Sequence, residues 1–151
     1  MYSQFSDNQP INILLIEDNA GDVILAREAL NESRINHNLF HVEDEPHALD
    51  FLFRRGIYLY APQPDLILLD LHLTEDDGQQ VMACIKSDER LRKIPVVVLS
   101  ISRHEKVIEE SYNLNANCCV TEPLDINEFI QVFETIQNFW VKSKIAGLAI
   151  S

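Results

Sequence analysis

Apolar and polar positions run along this chain in two rhythms. Five short apolar runs, at Ile11–Ile16, Leu39–Val42, Asp65–Leu69, Pro95–Leu99 and Asn117–Thr121, predict strands. The first, third and fourth contain ILLI, LILL and VVVL, almost unbroken stretches of the kind that strands covered on both faces require. Between the runs the spacing turns helical. Val23, Ala26 and Leu30 share one face of a first helix, Leu49, Leu52 and Phe53 mark a second, and Val81, Met82 and Ile85 a third. Val107, Ser111 and Leu114 mark a fourth. The fifth is the clearest, with Phe129, Val132, Phe133, Ile136 and Trp140 at i, i+3, i+4, i+7 and i+11. Asp125 and Glu128 form an acidic capping box at its start, and Leu124 stands where it can staple onto Phe129.

A strand followed by a helix, five times over, predicts an α/β fold: a doubly wound, five-stranded parallel sheet with helices on both faces. The expected layout is a flexible segment over 1–10, one domain over 11–140 and an apolar tail over 141–151. There are no internal repeats and no low-complexity stretches. At 151 residues, a domain of this size buries roughly 68–70% of the surface its unfolded chain exposes, so its core needs no staples.

Charge narrows the function. Twelve basic residues stand against twenty-four acidic ones, a net charge of −12, which disfavours nucleic acid and anionic membrane as partners. The three cysteines, Cys84, Cys118 and Cys119, make no disulfide framework and no zinc spacing, and are expected to be reduced. His37, His41, His47, His72 and His104 fall in no metal-binding spacing either. The run Glu43–Asp44–Glu45 is expected to be a solvated helix start, favoured by the macrodipole. The first ten residues lack a signal peptide's basic and apolar regions, and no apolar stretch is long enough to span a membrane. The expected compartment is the cytoplasm.

In doubly wound sheets, sites lie beyond the carboxyl ends of the strands. The first strand ends in Glu17 and Asp18, the third in Asp70, the fourth in Ser100 and the fifth in Thr121–Glu122–Pro123. Asp18 or Asn19 could serve as a helix cap, which explains one carboxylate but not three converging ones. Asp70 directly continues the run LILL. Like charges raise one another's pKa unless a cation sits among them, and oxygen ligands without His or Cys suit Mg²⁺.

IEDN after the first strand, LLDL at the third, Ser100 closing the fourth and a Pro-containing turn after the fifth resemble the receiver domain of two-component response regulators. The resemblance covers about residues 11–140 and implies a flavodoxin-like strand order of 2-1-3-4-5 with five helices. It implies that Asp70 is the phosphoacceptor, and that Glu17, Asp18, Asp70 and the backbone carbonyl of His72 hold Mg²⁺. Ser100 matches the hydroxyl that turns to the phosphoryl group, and Gly78 the glycine that lets the loop pass close to the next helix. The partner implied is a sensor histidine kinase, and the protein implied is no enzyme in its own right. The long segment Arg54–Pro64 (RRGIYLYAPQP), with PDLILLDLHL, VTEPLDINEF and the FW pair near the end, is most similar to the small receivers that partner cyanobacterial phytochromes. An ordinary receiver serving an unrelated kinase is the alternative.

The chain departs from the family pattern at Glu122, 52 residues after Asp70 and 22 after Ser100, where the family has a phosphoryl-contacting lysine. Two like charges about 4 Å apart repel by roughly 4 kcal/mol at an effective dielectric of ~20. Three outcomes are open: tighter Mg²⁺ binding, a Glu122 that swings to solvent towards Arg103, or a phosphorylated state uncoupled from output. The favoured expectation is that Asp70 still accepts phosphate while switching is altered. Cys119 stands at the family's aromatic switch position and Thr74 where a proline is frequent. Pro123 follows Glu122 as the family's proline follows its lysine, which by that resemblance implies a cis bond. A flavodoxin would need a Ser/Thr- and Gly-rich loop where this chain has EDNAGD, and a haloacid-dehalogenase-type phosphatase would need an Asp at His72. The serious rival is a phosphorylation-independent pseudo-receiver that acts as a binding module. With no room for an attached output domain, output is expected through protein binding or a phosphorelay. Phe139, Trp140, Ile145 and Leu148 belong to an apolar end that either packs on its own domain or joins a homodimer interface of helices four and five and the fifth strand, as the resemblance to phytochrome-linked receivers implies; the homodimer is the expectation.

Overall fold

The computed structural model describes residues 10–33, 35–70, 75–100, 118–121, 127 and 130–131, with the backbone path alone at 75–79, 99–100 and 118–121. Five parallel strands, β1 (Ile11–Ile16), β2 (His37–Val42), β3 (Leu66–Asp70), β4 (Val96–Ser100) and β5 (Cys118–Thr121), form one sheet in the order β2-β1-β3-β4-β5. Helices α1 (Ala20–Ser33), α2 (Glu45–Leu52) and α3 (Glu75–Ser87) alternate with the first four strands. This is the flavodoxin-like arrangement expected. The predicted fourth helix and the stripe Phe129, Val132, Phe133, Ile136 and Trp140 lie outside the described residues, although Asn127, Ile130 and Gln131 are helical. None of the helices among the described residues is long and apolar enough to cross a membrane.

Period-two alternation sends the central strands' side chains into two separate cores. Leu14, Ile16, Ile67, Leu69, Val96 and Val98 face α2 and α3, where Ala48, Phe51, Leu52, Val81, Met82 and Ile85 meet them. Ile13, Leu15, Leu66, Leu68 and Val97 face α1, where Val23, Ala26, Ala29 and Leu30 are buried, with Ile130 packed alongside. Covering both faces accounts for the unbroken ILLI and LILL runs. At the sheet's edge, β2 (HNLFHV) is buried only at Val42, and it begins two residues earlier than its apolar run suggests, at His37, which pairs with Ile11.

Two helix starts among the described residues have a side-chain cap. Asn19 caps α1, its Oδ1 accepting the Asp22 N–H at 3.0 Å, which settles the choice between Asp18 and Asn19. Asp44 caps α2 by accepting the His47 N–H at 2.9 Å. Its carboxyl is held below the usual range chiefly by that hydrogen bond, and it raises the His47 pKa in return. The expected face of α2 needs correction: Ala48, Phe51 and Leu52 are buried, whereas Phe53 is exposed and lies past the helix end. The reason is the Schellman turn that closes α2. Arg54 donates its N–H to Phe51 O (3.3 Å) and Arg55 to Asp50 O (2.8 Å), so the chain leaves the helical period after Leu52. Arg54 takes φ 55° there, a left-handed conformation that costs a residue with a side chain about 1–2 kcal/mol.

Candidate functional site

The strand registers bring the carboxyl ends of β1 and β3 together. Ile16 pairs with Leu69, so Glu17 and Asp70 leave adjacent strands side by side. One carboxylate oxygen from each of Glu17, Asp18 and Asp70 lies within 4.8 Å of the others. Glu17 is fully buried, Asp70 is 3% exposed, and Asp18 opens to solvent. With α1 capped by Asn19, the Asp18 carboxylate is not used as the cap and is free to join the cluster.

Glu17 is tied down from three sides. Its N–H donates to Val42 O at 3.0 Å. Its carbonyl oxygen lies 2.7 Å from His41 Nε2, so the Nε2-protonated imidazole donates there. Its Oε1 accepts the Asn19 N–H at 3.1 Å, while Oε2 is buried and meets no protein donor. Burial first, then hydrogen bonding with and repulsion from the Asp70 carboxyl, push Glu17 up to about 9. Two carboxylates are both acceptors, so they bridge only through a proton or a cation. An all-oxygen donor set with an unsatisfied buried oxygen fits a hard divalent ion.

The other expected site residues divide by position. Ser100 ends β4, one residue past the Asp70–Leu99 pair, and aligns with Thr121, which puts its backbone at the same end of the sheet. Cys119 lies in β5, paired with Val98, two residues short of that end. Gly78 is the fourth residue of α3. His72, Thr74, Glu122 and Pro123 lie outside the described residues, as do Phe139, Trp140, Ile145 and Leu148. His41, which falls in no motif, is a site residue that the sequence does not mark. Its only signal is position: it stands one residue from the end of β2, at the same end of the sheet as Glu17.

Residues 13–134 match the response regulator receiver domain family. Response regulator Rcp1 from Synechocystis sp. is 40% identical over 136 residues, spanning 90% of this chain and 92% of that protein. Among solved structures, the phosphorylated cyanobacterial phytochrome response regulator RcpA superimposes with a TM-score of 0.76 at 42% identity, covering 89% of this chain and 96% of that one. The Mn(2+)-bound form of response regulator Rcp1 gives 0.75 at 40% identity, with the same coverages. Sheet order, buried carboxylates and sequence thus agree, and this chain belongs to the response regulator receiver family, whose business is phosphorylation-based two-component signalling and not enzymatic turnover.

Proposed function

We propose that Asp70 accepts a phosphoryl group from a phosphohistidine on a sensor histidine kinase of the phytochrome class. The observation that carries this reading is the buried Glu17–Asp70 pair with Asp18 beside it, at the carboxyl ends of adjacent parallel strands. Glu17, Asp18, Asp70 and the His72 carbonyl would hold Mg²⁺. When bound, that ion supplies positive charge to the phosphoryl oxygens in a loose transition state. Asp70 supplies the nucleophile: its carboxylate oxygen forms the new P–O bond as the P–N bond breaks and the imidazole keeps the electron pair. The pinned Glu17 backbone keeps the acidic pair in place while the charge changes. RcpA was solved phosphorylated and Rcp1 with Mn(2+), and both support the reading by likeness.

Ser100 is proposed to contact the phosphoryl group, with Glu122 in place of a lysine and Cys119 in place of an aromatic ring altering how the change spreads. Gly78 and Pro123 keep structural roles in this reading, within a receiver spanning 11–140 that is preceded by the segment 1–10. The end over 141–151, with Phe139, Trp140, Ile145 and Leu148, is proposed to form a homodimer contact, and the proposed compartment is the cytoplasm. The test is intact mass after incubation with Mg²⁺ and acetyl phosphate, on wild type and Asp70→Asn in parallel. One added phosphoryl group in wild type alone is expected. No gain in wild type, even with a phosphorylated phytochrome kinase as donor, would favour the second reading, a pseudo-receiver that binds partners without phosphorylation. The observation behind that second reading is the carboxylate of Glu122 at the lysine position.

A further inference from the structure

At the amino ends of the strands, opposite the carboxylates, the connection between α2 and β3 is both firmly built and apolar on its outer side. It begins with the Schellman turn, continues through a 3₁₀ turn at Gly56–Tyr58, and is cross-braced throughout. Arg54 Nε donates to Ala61 O at 3.1 Å. The Tyr58 ring packs on Phe51 with centroids 5.4 Å apart. From the α3–β4 connection, Arg90 donates to Gln63 Oε1 (3.0 Å) and to Leu52 O (2.8 Å). Yet Ile57, Leu59 and Tyr60 are 87%, 55% and 93% exposed.

Charge is concentrated in the same place. Arg54, Arg55, Lys86, Arg90, Arg92 and Lys93 make up half of the twelve basic residues of a chain with net charge −12, and all lie in these two connections or the last turn of α3, where Arg55 pairs with Asp50 at 3.2 Å and Asp65, Asp88 and Glu89 stand among them. Arg54 occupies a left-handed position that favours glycine, and its side chain braces the loop through Ala61 O. Exposed Tyr and Arg beside aliphatic side chains are the residue types that dominate protein interfaces. A loop already ordered by its own hydrogen bonds gives up little entropy on binding.

We propose that this loop is a docking surface for an acidic, apolar segment of a partner protein, and that it works apart from the phosphoacceptor end. Charge complementarity selects the occupant: carboxylates for the exposed Arg54, Arg92 and Lys93, apolar side chains for Ile57, Leu59 and Tyr60. A second copy is disfavoured, because an isologous contact would set these arginines against themselves. A polyanionic nucleic acid meets the repulsion of the whole chain.

The test places a photoreactive benzoylphenylalanine at Tyr60 in the full chain, expressed in its native cells, and sequences the cross-linked peptide. The expected result is one partner protein, joined through a segment that carries both acidic and apolar residues. Adduct should fall about tenfold or more in Arg55→Glu/Arg92→Glu and in Ile57→Ser. It should fall as salt rises from ~50 to ~500 mM, a readout that needs no variant to fold. Asp70→Asn should leave it unchanged; loss in that variant would overturn the independence of the two ends. Adducts with nucleic acid, lipid, a second copy of this chain or a segment without acidic residues, or no specific adduct, would overturn the docking surface itself.

Discussion

Glu17 is the residue on which the site turns. Its carboxyl stays protonated to about pH 9 in the metal-free protein, against an ordinary 4.5. Because the folded state holds that proton more tightly than the unfolded chain, this group's stabilisation is complete below pH 4.5 and is lost as pH rises through about 9. A divalent ion must displace the proton, so Mg²⁺ affinity should climb with pH towards 9 and level off above it. Calorimetric titration in several buffers reads both the affinity and the released proton; an affinity flat between pH 6 and 9 would show that Glu17 is already ionised. His41 holds the Glu17 backbone from outside the cluster, and His41→Phe should weaken Mg²⁺ binding by ~10-fold or more while the protein still folds. The carboxylates could be read from the chain because they follow directly on buried strands. His41 could not, since a lone histidine on an edge strand has no distinguishing spacing.

Among the elements, the strands that read most clearly were those buried on both faces. ILLI and LILL have one explanation, whereas HNLFHV at the sheet's edge mixes polar and apolar positions, and its first two residues are held by pairing with β1 rather than by burial. Helix α2 shows the limit of periodicity: Phe53 fits the stripe in the sequence, but the helix stops at Leu52 and Phe51 carries the packing, against Phe40 and Tyr58. Truncation separates the two readings. Phe51→Ala should cost about 3–5 kcal/mol and Phe53→Ala about 1 kcal/mol or less, by urea unfolding of each variant. Equal costs would mean that the face runs through Phe53 after all.

For the whole molecule, the apolar end around Phe139 and Trp140 leads to an expected homodimer. Light scattering across a hundredfold dilution should show the mass falling towards that of one chain, and Phe139→Ser/Ile145→Ser should shift the fall to higher concentration. A monomer mass at every concentration would refute the dimer. Because every strand points the same way, connections of one kind collect at each end of the strands: Glu17, Asp18 and Asp70 at the carboxyl ends, the arginines of the α2–β3 and α3–β4 connections at the amino ends. Among the described residues the carboxylate cluster and the basic side chains therefore lie at opposite ends of the strands, and the field of an approaching partner acts on the two differently. A basic partner is drawn to the carboxylate end, whereas an acidic segment reaches the basic connections against the repulsion of a chain of net charge −12.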